Sequence, residues 1–148
     1  MYHRFRLSRR LKIEYAYFYS YLYSYKLIIM KPQNILSSFG NAFNGLVHFF
    51  LHERNGRIQF CATILVVGFA IWLQVSTTEW LVILLCIGAV LSLEMLNSAV
   101  EKLCDIVHKE FHPIIKIVKD VAAAAVLFAS IVSIIIACII FLPKILSL

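Results

Sequence analysis

Charge is what this chain lacks most. Only 15% of its 148 residues are Asp, Glu, Lys or Arg, against 61% hydrophobic, whereas about a quarter of a soluble domain is charged. A soluble fold would need polar helices to cover so much apolar side chain, and none are available. The four cysteines, Cys61, Cys86, Cys104 and Cys138, are scattered singly through apolar segments and form no CxxC pair. They read as small packing residues rather than a thiolate metal site. There is no GxxxxGK[ST] loop and no protein-kinase motif set, which excludes two familiar nucleotide folds. Nor is there a basic stripe with interleaved aromatics. Arg4, Arg6, Arg9, Arg10, Lys12 and Lys26 face only Glu14, while from Met30 onward eight basic residues meet seven acidic ones. The net charge of +6 therefore belongs to a leader, and no nucleic-acid partner is expected.

What is present is apolar length. Residues 58–75, 80–103 and 121–142 are each apolar enough to enter or cross a hydrocarbon core of about 30 Å. These three spans predict an all-α membrane protein that lies in a lipid bilayer. Residues 37–52 (SSFGNAFNGLVHFFLH) set Phe39, Phe43, Leu46, Val47, Phe50 and Leu51 on one helical face, and predict an amphipathic surface helix over about 35–52. All seven tyrosines fall within the first 25 residues, six of them alternating from Tyr15 to Tyr25. From that break we expect residues 1–29 to be an extension outside the native chain, with Met30 as the start and 30–148 as the membrane domain.

Loop charge predicts the orientation. The turn at Ser76–Glu79 has no Lys or Arg, whereas Arg54, Arg57, Lys102, Lys109, Lys116 and Lys119 gather at the opposite ends of the spans. The N-terminus and the loop over about 104–118 are expected in the cytoplasm, Lys144 outside, and Trp72 and Trp80 as interfacial anchors at the outer turn.

The second span ends in SLEMLNSAVEKLCD, residues 92–105. On a helix Glu94, Asn97, Glu101 and Asp105 fall at about 0°, −60°, −20° and +20°, one narrow polar stripe. Measured from Trp80, Glu94 lies about 21 Å along the helix, at or inside the edge of the hydrocarbon. An ionisable group there is costly and is by default a functional residue. Two carboxylates with an amide between them suit an oxygen-seeking divalent cation such as Mg²⁺; a polar seam between helices is equally compatible with the stripe alone. ERNGR adds Glu53 at the mouth of the first span. HPIIKIVKD adds His112, Lys116, Lys119 and Asp120, with Pro113 placed to start a helix and the two lysines spaced to face one anion.

The string EMLNSAVEKLCDIVHKEFHPIIKIVKDVAAAAVL, with SFGNAFNG, ERNGRI and Glu79-Trp80 upstream, resembles the signature of the prokaryotic diacylglycerol kinase and undecaprenol kinase family. The resemblance covers residues 37–142. It implies a homotrimeric helical bundle in the bacterial inner membrane that phosphorylates a membrane lipid alcohol with Mg²⁺-ATP at its cytoplasmic face. It implies Glu94 as the catalytic base near the lipid hydroxyl, with Asn97 also on the lipid. Glu53 and Glu101 become the Mg²⁺ carboxylates, and Glu53, Asn97, Glu101, Glu110, His112, Lys119 and Asp120 the ATP-binding set. Ile115, Val118 and Ala124 depart from the small residues common at those positions. ERNGRI and His112-Pro113 lean toward undecaprenol over diacylglycerol. The competing class is a non-catalytic membrane protein, an assembly subunit or an ion or proton conductor. Its polar groups would be spread over several spans at the midplane, and here they cluster at one edge.

Overall fold

The structure is a computed structural model that describes residues 34–107 and 110–147. The described residues form four helices and no strand: α1 (Ile35–His52), α2 (Arg54–Trp72), α3 (Thr77–Val107) and α4 (Pro113–Leu146). The chain divides into two units, residues 1–42 and 43–148. The expected extension over 1–29 lies outside the described residues. In the first unit, Ser38 N–H donates to the Asn34 carbonyl at 3.0 Å and Ser37 Oγ to the same oxygen at 2.7 Å, which opens α1.

In the second unit three helices, α2, α3 and α4, are long and apolar enough to cross a membrane, as the apolar segments predict. Their ends differ from expectation. α2 begins at Arg54 and stops at Trp72, short of Val75, while α3 and α4 run past the apolar windows to Val107 and back to Pro113. Hydrophobicity marks what oil accepts; backbone hydrogen bonding carries each helix on until a cap ends it. α2 ends because Gln74 takes a left-handed φ of 49°. Val75 N–H then bonds the Ala70 carbonyl and Gln74 N–H the Ile71 carbonyl, both at 3.2 Å, a Schellman closure with a non-glycine residue at its centre.

α3 starts two residues later with a capping box. Ser76 N–H donates to Glu79 Oε2 at 2.6 Å, and Glu79 N–H to Ser76 Oγ at 3.4 Å. α4 starts at Pro113, with His112 Nδ1 accepting from Ile114 N–H at 3.3 Å.

Each spanning helix runs back along its predecessor, and α3 and α4 make the most extensive pair. The core sits at the α2–α3 turn, where Ala70, Leu73, Val75, Ile83 and Ile140 are buried together. Both tryptophans flank the α2–α3 turn: Trp80 packs against this cluster and Trp72 is exposed. Phe69 meets Phe141 at 6.3 Å, and Lys144 Nζ meets Glu79 Oε2 at 3.1 Å, which ties the end of α4 to the start of α3.

α1 joins α2 through one residue, Glu53. Phe49 is the buried side chain of α1; Phe50 instead lies against Phe60 at 5.5 Å. The corner is tight because Gly56 has no side chain, and a Cβ there would come within 2.3 Å of the Phe49 carbonyl oxygen.

Candidate active site

At the end of the spans away from that core, polar side chains gather in two cavities. The first, about 340 Å³, lies among α2, α3 and α4 and is lined by Glu94, Asn97 and Glu101 from α3, Asn55, Ile58 and Gln59 from α2, and Ala123, Val126, Leu127 and Ser130 from α4. Glu94 and Asn97 are each only 4% exposed. Asn97 Nδ2 donates to Glu101 Oε1 at 3.2 Å, and the Asn55 amide stands at the Glu94 carboxyl. Among the described residues Asn97 Oδ1 is the one buried side-chain polar atom with no hydrogen-bond partner. A buried acceptor left open beside two carboxylates wants a donor or a cation, so its position inside the cavity marks a place for a ligand.

Three of the four stripe residues thus share one cavity. Asp105 does not join them: it lines a second cavity of about 380 Å³ with Glu110, Phe111, His112, Ile115, Lys116, Lys119 and Asp120. There Lys119 Nζ donates to Asp105 Oδ1 and Lys116 Nζ to Asp120 Oδ2, both at 2.5 Å. The two lysines face one cavity, as their spacing predicts, and each holds its own carboxylate. The second cavity thus gathers Glu110, His112, Lys119 and Asp120, and the first Glu94, Asn97 and Glu101. Their contents differ in kind. The first pairs a buried and a half-buried carboxylate with amides; the second has cations on an exposed rim.

Glu53 lies in neither cavity. It is the N-cap residue of α2, but its carboxylate makes no cap hydrogen bond. The carboxylate pairs with Lys102 Nζ, with His48 Nε2 at 3.7 Å. The Lys102 hydrogen bond holds the Glu53 carboxyl below its ordinary range, helped by the charge of Lys102; partial burial opposes it. Among the described residues no group of three or more His, Cys, Asp or Glu side chains converges on a metal-sized space. Oxygen donors of the kind Mg²⁺ takes lie together at Glu101 and the open Asn97 Oδ1. Glu53, held by Lys102, is not assembled with them.

A third cavity, about 320 Å³, shares Ile58, Gln59 and Ser130 with the first and continues along the spans between Val66, Ile83, Ile87, Val90, Ile134 and Ile136. A carboxylate-bearing cavity therefore adjoins an apolar one, a shape for a molecule with a polar head and a long tail. The nearby hydroxyls of Thr63 and Ser133 back-bond at 2.8 Å to the Gln59 and Ala129 carbonyls, which keeps that wall effectively apolar.

Sequence reasoning missed Gln59 and Ser130, and from ERNGR it took Glu53 and gave Asn55 no role of its own. Asn55 and Gln59 were accessible to it, being four apart and so on one face of α2. Ser130 carries no signal that separates it from Ser133.

The profile of the prokaryotic diacylglycerol kinase family matches residues 40–141. The chain is similar to the undecaprenol kinase of Bacillus subtilis, 39% identical over 109 residues, 72% of this chain and 87% of that protein. It is similar to the diacylglycerol kinase of Synechocystis, 37% identical over 116 residues, 78% of this chain and 66% of that protein. It is also similar to the diacylglycerol kinase of Escherichia coli, 33% identical over 105 residues, 71% of this chain and 86% of that protein.

Proposed function

The chain belongs to the prokaryotic diacylglycerol kinase family, and from that premise we propose that it transfers the γ-phosphoryl group of ATP to the primary hydroxyl of a membrane lipid alcohol. It is a multi-pass membrane protein and a lipid kinase of the diacylglycerol and undecaprenol kinase type. The observation that carries the reading is the cavity in which buried Glu94 and Asn97 stand with Glu101, next to an apolar cavity that shares Ile58, Gln59 and Ser130 with it. A lipid hydroxyl cannot leave the membrane interface, so its base has to sit on a spanning helix while ATP stays in water. Glu94 is seven residues, about 10 Å, further along α3 from Glu101, which sets the two substrates in that order.

In this mechanism Glu94 accepts the proton of the lipid hydroxyl as its oxygen bonds to the γ-phosphorus and the bond to ADP breaks. Asn55 orients the Glu94 carboxyl, and Asn97 orients the hydroxyl. Lys119, with Glu110, His112 and Asp120, holds the nucleotide and balances charge on its phosphates. Magnesium, when bound, neutralises charge on the transferring group; Glu101, Asn97 Oδ1 and Glu53 are the oxygens that would hold it. The excess of Lys and Arg at this end supports a cytoplasmic site. The many exposed apolar side chains of α2, α3 and α4 support burial in lipid and against further copies, consistent with the homotrimer that the resemblance implies.

Between the two lipids we place undecaprenol first, on the ERNGRI and His112-Pro113 pattern and the similarity to the Bacillus kinase. The test supplies purified protein in mixed micelles with ATP and Mg²⁺, and with undecaprenol or diacylglycerol separately. The expected result is a phosphorylated lipid, formed faster from undecaprenol. ATP consumption that ignores the lipid, with no phosphorylated product, overturns the kinase reading.

A further inference from the structure

Lys102 follows Glu101 on α3, yet it reaches away from the Glu94 cavity to a different carboxylate. Its ammonium contacts Glu53 Oε1 and lies 3.0 Å from His48 Nε2. Lysine carries only donors, so at this contact His48 Nε2 accepts. His48 is itself stacked on His52, with ring centroids 4.8 Å apart and 13° between the planes. The imidazole shelf thus steadies the ammonium on Glu53 from one side. The result is a cation standing on one of the two carboxylates read above as metal ligands, while the other, Glu101, is held by Asn97 in the cavity.

We propose that Lys102 is a resident counter-cation of Glu53 that a divalent ion has to displace, so that Glu53 and Glu101 close on the metal only when Lys102 lets go. The proposal rests on the reading of Glu53 and Glu101 as the metal carboxylates, and it accounts for why they are not assembled here. The exchange is physically accessible. The Lys102 side chain is 52% exposed and that of Glu53 26%, and an ion pair so open to water is weak and screened by salt. Lysine also swings on a flexible four-carbon stem without rearranging its helix. No charge is stranded by the exchange, because an exposed ammonium is solvated once released and stands beside the incoming polyanion.

The probe is Mn²⁺, followed by the electron paramagnetic resonance of the free ion, titrated into the full-length protein in detergent without nucleotide. Lys102→Met is expected to bind Mn²⁺ about two- to fivefold more tightly than the parent, the range that an exposed ion pair supplies. Lys102→Arg keeps the cation and should stay close to the parent. Glu53→Gln should weaken binding and, combined with Lys102→Met, remove the gain. Lys102→Gln gives the same test if Lys102→Met does not fold, with helical circular dichroism and elution volume as the check. If Glu53→Gln weakens binding while Lys102→Met leaves it unchanged or weaker, the counter-cation is refuted and the metal reading stands. If Glu53→Gln leaves Mn²⁺ affinity unaltered, Glu53 is not a ligand and both fall.

Discussion

The two ends of the spanning helices are built on opposite principles. At the α2–α3 turn, Ala70, Leu73, Val75, Ile83 and Ile140 close on one another, and the polar groups find partners nearby: Ser76 and Glu79 cap each other and Lys144 joins Glu79. At the other end a buried carboxyl, Glu94, forms no ion pair among the described residues, Asn97 Oδ1 has no partner, and cavities take the place of packing. Burying a carboxylate without a cation and leaving an amide oxygen open both work against folding. The turn end stabilises the helical hairpin with local contacts, and the carboxylate end is left free to be completed by substrates. Stability and chemistry are thereby separated by most of the length of α3.

That separation is testable by substitutions of opposite character. Glu94→Gln keeps shape and burial but removes a base, so lipid phosphorylation is expected to fall about 10²- to 10⁴-fold, with ATP binding and thermal stability essentially unchanged. Rate, nucleotide affinity and unfolding temperature on one preparation check this; near-normal turnover removes Glu94 from the mechanism. Leu73→Ala should do the reverse. Leu73 is buried inside the turn cluster and lines none of the three cavities, and trimming such a side chain costs about 2–5 kcal/mol. The unfolding midpoint in detergent should drop, while turnover per folded molecule stays within about twofold of the parent, because a site that shares no partners with Glu94 does not couple to it. A fall in turnover at full folding would show that the two ends are coupled.

The legibility of the chain follows the same division. Helix type, the number of apolar segments and the Glu94–Asn97–Glu101 face were readable because each depends on residues a few positions apart along one helix. The Pro113 start of α4 was readable for the same reason. Pairings between helices were not: Asp105 reaches Lys119 across the α3–α4 loop, and Glu53 reaches Lys102 from another helix. Nothing in 3.6-residue periodicity says which of several carboxylates a lysine will choose. The division of the polar residues between two cavities is likewise a property of helix packing. The helix end of α2 was not legible because Val75 is as apolar as the residues before it; the left-handed Gln74 marks where the chain turns. The beginning of α3 was within reach, since Ser76-Thr77-Thr78-Glu79 is a capping box in plain sequence.

That box carries the smallest effect and the finest test of the comparison. Ser76→Ala removes the hydroxyl that accepts from Glu79 N–H at 3.4 Å and leaves the backbone N–H of residue 76 free to keep its 2.6 Å bond to Glu79 Oε2. The long bond is lost and the short one stays, so the cost should lie toward the low end of the range for losing an N-cap, about 0.5–1 kcal/mol. Glu79→Gln weakens both the bond from Ser76 N–H and the pair with Lys144, and should cost more than Ser76→Ala although it keeps the side chain's size. Lys144→Met separates the two contributions, because it removes only the ion pair with Glu79. If Glu79→Gln equals Lys144→Met, the cap adds nothing; if it exceeds Lys144→Met by the Ser76→Ala decrement or more, the cap holds the start of α3 on its own account. In all three proteins the lipid-phosphorylation rate per folded molecule should match the parent, since the contacts removed lie at the end of α3 that carries none of the cavity carboxylates.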